Sequence, residues 1–328
     1  MSEAIRIGIV GYGNLGRGVE QALAQNPDMR LEGIFTRRAP ASIAPLQAGT
    51  KVHRMEALDG LRDAIDVLVL CGGSRDDLPV QAPALASRFC VVDSFDTHAR
   101  IPEHFAAVDA AARGGGTTAV IAVGWDPGLF SLGRLYGEAF LPAGATHTFW
   151  GPGLSQGHSD AIRRVPGVKM GVQYTLPAEA AMERVRAGER PSFVTREMHT
   201  RACYVVLEEG ADPSEVERAI QTMPHYFADY DTTVAFIDEE EFRRSHGKMP
   251  HGGFVIRTGE TGQQSKQLFE LRLALDSNPE FTASVLVAYA RACHRLRQRG
   301  EVGAKTVFDI APGLLSPREP AELRREML

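Results

Sequence analysis

The sequence predicts an α/β protein in which a doubly wound parallel sheet is followed by a second, α+β domain. Three observations carry this. Short, almost continuously apolar runs alternate with helix-like stretches over the first third of the chain. A glycine-rich turn joins the first run to the first helical stretch. After Trp125 the texture changes. Parallel strands covered on both faces read as uninterrupted apolar runs rather than as an apolar–polar alternation.

Residues 5–10, 31–36, 66–71, 89–93 and 118–123 are the strand candidates of the first domain. The helical patterns between them imply right-handed crossovers and helices on both faces. From about 149 to 167, Gly, Ser, His and Pro crowd together, a composition expected of loops lining a site. Residues 204–207 and 232–237 look like strands of a second sheet, which 254–256 and 268–275 continue. A late helix places Val285, Ala288, Tyr289, Ala292, Cys293 and Leu296 on one face, with Thr282 as its cap and Gly300 as its end. The Pro-rich tail, 311–320, is expected to pack back over the first domain. The boundaries drawn are 1–124 for dinucleotide binding, 125–304 for the second domain and 305–328 for the returning segment.

A chain of 328 residues with 44% hydrophobic content can bury a sizeable core, and its length suggests two domains or one large domain with an insertion. The formal net charge of −5 argues against a nucleic-acid partner, which needs a basic footprint. No apolar run reaches the roughly 18 residues of a membrane span. The start, MSEAIRIGIV, lacks a basic region followed by an apolar one, so a cytoplasmic protein is expected. Cys71, Cys90, Cys203 and Cys293 never occur as C-x-x-C and read as structural thiols.

Gly11, Tyr12, Gly13, Asn14, Leu15 and Gly16 form G-x-G-x-x-G between a strand and a helix. This is the Rossmann arrangement, in which the glycines permit a tight turn, close approach of a pyrophosphate and close helix packing. The helix N-terminus then faces the phosphate charge. Where an NAD enzyme carries an acidic residue, this chain has Thr36, Arg37 and Arg38. A carboxylate would repel a 2′-phosphate and a guanidinium can grip it, so the cofactor predicted is NADP. Cys71, Gly72, Gly73 and Ser74 follow the third strand, where small residues leave room for a cofactor; a plain strand-ending turn accounts for them almost as well. The fourth and fifth strands end in Asp93, Ser94, Phe95, Asp96 and in Trp125, Asp126, Pro127, Gly128, and all of these but Asp96 complete the candidate cofactor set. Ligands of open α/β sheets lie beyond the carboxyl ends of the strands, so Asp96 and Asp126 are the candidate catalytic carboxylates. They would hold an ammonium and activate water; solvated helix caps are the plainer alternative.

The segments GYGNLGR, WDPG, HTFWGPGLSQGHSDA, QYTLP, MPHGG and SNPEFTAS together resemble the bacterial meso-diaminopimelate dehydrogenases, from residue 5 to about 316. The resemblance implies a homodimer with a substrate-binding and dimerisation domain. It also implies an NADP-dependent oxidation of the D-centre of meso-diaminopimelate to L-2-amino-6-oxopimelate, in lysine and peptidoglycan-precursor metabolism. Carried over by position, Asp96 and Asp126 hold the reacting ammonium. Trp125 and Trp150 wall the pocket, Gln156 and Gly157 add polar contacts, and Thr175, Arg201, His251 and Asn278 grip the distal L-centre. No metal is expected, since hydride chemistry needs none and His158, Asp160 and His251 match no standard spacing. A reductase acting on another amino acid fits the glycine motif equally, but HTFWGPGLSQGHSDA argues against it. A non-catalytic NADP(H) sensor would leave Asp96, Asp126, Trp125 and Trp150 without a role.

Overall fold

The computed structural model describes residues 4–328. The chain forms two compact units, one of residues 1–132 with 279–328 and the other of residues 133–278.

The first unit is built on seven parallel strands: β1 (Ile5–Val10), β2 (Met29–Thr36), β3 (Val52–Arg54), β4 (Val67–Leu70), β5 (Cys90–Asp93), β6 (Thr118–Val120) and β14 (Gly303–Lys305), in the order β14-β6-β5-β4-β1-β2-β3. All their carboxyl ends lie on one side, which gathers the loops expected to bind ligand. The apolar runs are explained by double coverage. In β4, Val67 and Val69 join Ile7 and Ile9 in one core, while Leu68 and Leu70 join the core on the opposite face. The first core is covered by helix Asn14–Ala24 and by helix Asn278–Gln298. Helices Leu78–Ala86 and Ile101–Gly115 cover the second.

The late helix differs from expectation in two ways. It begins at Asn278, so Thr282 lies inside it rather than capping it. Its burial also wraps round the helix, taking in Leu286, Val287 and Ala290 as well as Tyr289, Ala292, Cys293 and Leu296. A helix wedged between a sheet and a returning tail has less of an exposed face to keep polar. For the same reason contacts divide the chain at 132 and 278, not at 124 and 304: the helix shares the core of Ile7 and Ile9. Ile310 and Leu314 from the tail enter that core too.

The second unit holds two separate sheets where the sequence suggested one. The first, in the order β11-β10-β9-β8, comprises β8 (Gly153–Leu154), β9 (Val168–Pro177), β10 (His199–Leu207) and β11 (Asp231–Phe236). The other, in the order β13-β12-β7, comprises β7 (Gly144–Trp150), β12 (His251–Thr261) and β13 (Ser265–Leu275). Residues 254–256 and 268–275 therefore do not continue the sheet of 204–207. The supposed loop region from 149 contains the end of β7, the short β8 and helix Gln156–Ile162. Among the described residues, no helix is long and apolar enough to cross a membrane.

Arg291 ties the returning segment to the start of the sheet. Its side chain is 2% exposed. Nε and Nη2 donate to the two carboxylate oxygens of Asp28 at 2.6 and 2.9 Å, Nη2 to Asn26 Oδ1 at 2.6 Å, and Nη1 to the Leu315 carbonyl at 2.7 Å. This bidentate bond holds the Asp28 carboxyl below its ordinary range. Arg291→Ala strands Asp28 and Asn26 and opens a large void. It should cost roughly 2–4 kcal/mol in urea unfolding, below the fully buried case because Asp28 keeps some solvent. Because the folded-state pKa of Asp28 is the lower one, its contribution is complete above the ordinary carboxyl pKa of about 4. It is lost as the pH falls through the folded value. The acid-side drop in stability should therefore be shallower in the variant.

Candidate active site

In the first unit β1 runs into Gly11, whose φ of +88° turns the chain and whose amide donates to the Phe35 carbonyl at 2.8 Å. Gly13 caps the helix in extended conformation; a Cβ there would meet nothing, leaving the helix N-terminus open to a ligand. A Cβ on Gly16 would lie 2.4 Å from the Gly11 carbonyl, so the helix can pack this closely only with glycine. The first helical turn contains no acidic residue that would oppose a phosphate. Asn14 is exposed and Leu15 half-buried.

A cleft over this turn is lined by Gly11, Tyr12, Gly13, Thr36, Arg37, Arg38, Cys71 and Gly72, together with Met55, Asp77 and Gln81. The arginines are not loose surface cations. Arg38 donates to the Tyr12 carbonyl at 2.5 Å, and its amide donates to Thr36 Oγ1 at 3.1 Å. Arg37 pairs with Asp77 at 2.6 Å, an acidic neighbour that sequence reasoning missed because it sits forty residues further on. Burial pushes the Cys71 thiol well up from its ordinary value. Behind the turn Glu20 is fully buried. It accepts from the Tyr12 hydroxyl, from the Leu46 and Gln47 amides at 3.0 Å each and from Thr50 at 3.1 Å. Despite burial, these donors hold its carboxyl below the usual range.

The ends of β4, β5 and β6 are laced together. Ser74 Oγ lies 3.5 Å from the Ser94 carbonyl and accepts from the Asp96 amide at 3.1 Å. Asp93 was expected at the cofactor, but its side chain is wholly enclosed. Oδ1 accepts from the Phe95 and Ala122 amides at 3.0 Å each, and Oδ2 pairs with His104 at 2.8 Å. Its carboxylate therefore serves the crossover, where Ala122 stands at a φ of +56°. Tyr12 and Phe95 likewise turn their rings inward, Phe95 stacking on His104 with centroids 4.1 Å apart. Asp96 is exposed and Asp126 half-buried at adjacent strand ends. Trp125 is packed edge-on against Phe130, and its backbone bridges to Gly128 around Pro127.

In the second unit, antiparallel pairing of β9 with β10 sets Thr175 directly opposite Arg201. The guanidinium is buried, donates from Nη1 to Thr175 Oγ1 and lies 3.8 Å from the centre of the Tyr230 ring. Among the described residues no carboxylate pairs with it, and Nε has no partner. Burial lowers its pKa. His199 and His158 are each pushed down to about 4, by burial first and by Arg201 second, so both are neutral near pH 7. The fully buried Gln173 donates to Thr175 at 3.3 Å and leaves its own Oε1 unpartnered. Alternation of His199 with Arg201 along one strand was a readable signal for His199; nothing local marks Tyr230 or Gln173.

His251 opens β12, with Nδ1 2.8 Å from the Gly252 amide and 3.2 Å from the Gly252 carbonyl. Gly153 makes room for it, since a Cβ there would fall 2.5 Å from the imidazole. The Asn278 amide donates to the Met249 carbonyl at 2.9 Å, and Gln156 Nε2 reaches Met249 Sδ at 3.2 Å. Both ties bring residues from separate motifs to Met249. Gly157 is exposed, and Trp150 stacks on His199 at 5.5 Å with 39% of its surface exposed.

Residues 124–277 match the family described as diaminopimelic acid dehydrogenase C-terminal domain. The meso-diaminopimelate D-dehydrogenase of Lysinibacillus sphaericus is 62% identical over 99% of both chains. A meso-DAPDH mutant from Clostridium tetani E88, solved with DAP, is 54% identical with a TM-score of 0.92, covering 99% of this chain and 100% of that one. An engineered D-amino acid dehydrogenase bound to NADP+ is 47% identical with a TM-score of 0.85, at the same coverage. Identity this high along the full length, on a Rossmann sheet with the matching second unit, means that the chain belongs to the meso-diaminopimelate D-dehydrogenase family.

Proposed function

We infer that this chain catalyses the reversible, NADP-dependent oxidative deamination of the D-centre of meso-2,6-diaminopimelate to L-2-amino-6-oxopimelate. The observation that carries the substrate assignment is Arg201, a buried guanidinium with an unpartnered Nε and no carboxylate beside it. A desolvated cation of this kind is costly unless a ligand anion completes it. The distal carboxylate of the substrate supplies that anion, with Thr175 alongside and His251 and Asn278 fixing the hand of the L-centre. Gln156, Gly157 and Trp150 line the same end.

The reacting end falls to Asp96 and Asp126, which hold its ammonium, with Trp125 beside them. NADP, when bound, supplies the hydride acceptor. The open turn at Gly13, the acid-free helix start and the arginines after Thr36 fit such a group. The ammonium first gives up one proton to solvent, freeing its lone pair, and loss of hydride from the D-carbon then leaves an iminium. A carboxylate, Asp126 in this reading, takes a proton from the water that attacks the iminium and returns it to the nitrogen, so that collapse of the adduct, with loss of the hydroxyl proton, releases ammonium and the ketone. We place the protein in the cytoplasm and, on the strength of the family resemblance, read it as a homodimer. NADP reduction with a panel of diaminopimelate isomers tests the whole assignment; turnover of another amino acid in preference to the meso isomer would overturn it.

Four outcomes are expected. Replacing Arg37 and Arg38 together with Ala should weaken NADP by tenfold or more, since a charged hydrogen bond contributes about 1.5–3 kcal/mol, while NAD binding changes little; titration of both cofactors reads this. Arg201→Ala should raise the substrate KM by roughly 30-fold or more with NADP affinity intact, as expected for one member of a desolvated charge pair. The LL isomer should inhibit or be ignored, and the DD isomer should turn over slowly with a high KM. Asp126→Asn should lose most meso turnover yet keep NADP, because an amide neither holds the ammonium nor accepts a proton from water.

A further inference from the structure

The carboxylate of Asp77 stands where its own helix has no use for it. Asp77 is the N-cap of helix Leu78–Ala86, a position where an aspartate ordinarily accepts from the second or third amide of the helix, yet its side chain makes no such bond. One oxygen instead accepts from the Gly73 amide at 3.0 Å, and the other meets Arg37 at 2.6 Å. Arg37 keeps 69% of its side chain exposed, while Asp77 keeps 22%. The anchored partner is thus the acid, and the arginine reaches to it. Both line the cleft that contains Gly11, Gly13, Thr36 and Arg38.

We propose that Asp77 is a competing anion built into the 2′-phosphate site, a specificity-determining residue that tempers NADP affinity and hastens its release. The proposal rests on the reading that Arg37 grips the 2′-phosphate. A phosphate arriving at Arg37 meets a guanidinium already paired. It must share the cation or displace the carboxylate, and it then sits beside a negative charge held in place by Gly73. Either way part of the phosphate–arginine attraction is offset. NAD carries no such phosphate and meets no such penalty. A dehydrogenase that releases its cofactor on every turnover benefits from a grip that selects the phosphate without retaining it, since product release often limits kcat.

Asp77→Asn preserves shape and the bond from the Gly73 amide while removing the charge; Asp77→Ser serves as a second variant, and thermal unfolding verifies that both fold. The full-length enzyme is titrated with NADP and with NAD, and NADPH release is followed by stopped-flow fluorescence. Asp77→Asn should tighten NADP about two- to fivefold, the range of a partly exposed ion pair, and slow NADPH release in proportion, with NAD unchanged. Unchanged or weakened NADP binding in both variants would overturn the proposal, and an equal change for NADP and NAD would reduce Asp77 to a part of the turn. Arg37→Ala is measured alongside. If it leaves the preference for NADP over NAD intact, the placement of Arg37 at the phosphate fails and the proposal with it. If it lowers that preference while Asp77→Asn does nothing, the placement stands and the role of Asp77 is refuted.

Discussion

The first unit is interrupted: 146 residues of chain, 133–278, leave it and return before its sheet is complete. The core beneath the strand ends is completed only by that return. The returning segment adds β14 to the sheet beside β6 and lays helix Asn278–Gln298 over Ile7 and Ile9. Apolar packing alone would permit such a helix to slide or rotate by a turn at modest cost, because the contacts are non-directional. Arg291 removes that freedom. Its guanidinium is met by a carboxylate, an amide oxygen and a carbonyl in directions that only one register satisfies. The carbonyl belongs to Leu315, so the same side chain also settles where the tail lies.

Three arginines of this chain illustrate how pairing separates structure from function. Arg291 is buried and each of its three nitrogens is answered, with a carboxylate as counter-charge. Arg201 is equally buried but answered only by a hydroxyl and an aromatic face. Such incomplete satisfaction is hard to reconcile with a purely structural role, because a buried charge without a counter-charge lowers stability. Arg37 is exposed and paired with one acid, the weakest of the three arrangements and the easiest to exchange. Burial identifies none of these roles by itself; burial together with the unmet part of the hydrogen-bond inventory does.

Much of the first unit was legible in the sequence because its signals are local. β1 falls on the expected residues 5–10, and the glycine motif joins strand to helix as its spacing required. The second unit was harder to read. Arg201 and Thr175 face one another only because β9 and β10 pair, and no periodicity reveals which strands share a sheet. The Gly- and His-rich stretch looked like loops although it enters from a strand, since Gly151 and Gly153 suit both turns and close approaches. Asp93 shows the same limit: the sequence places an acid at a strand end but not the Phe95 and Ala122 amides and the His104 ring gathered around its carboxylate. Asp77 and Tyr230 were invisible because each acquires meaning only from an arginine distant in sequence.

The two candidate groups of site residues sit on different kinds of scaffold, and the difference suits the work inferred for each. Thr175 and Arg201 project from directly opposed positions of a hydrogen-bonded ladder, where backbone pairing fixes their separation and direction. Discrimination between mirror-image centres demands donors that cannot shift to accommodate the wrong hand, and a ladder provides them. Asp96 and Asp126 lie beyond strand ends, on backbone tied down by the Ser74 hydroxyl for one and by the turn from Trp125 to Gly128 for the other. Groups that must admit a cofactor, a substrate and a water in sequence cannot be enclosed as Arg201 is. They need anchored loops, held firmly by backbone contacts beneath and open above. On the function we infer, stereochemical selection falls to the rigid ladder and the chemistry to the laced strand ends, each to the part of the fold suited to it.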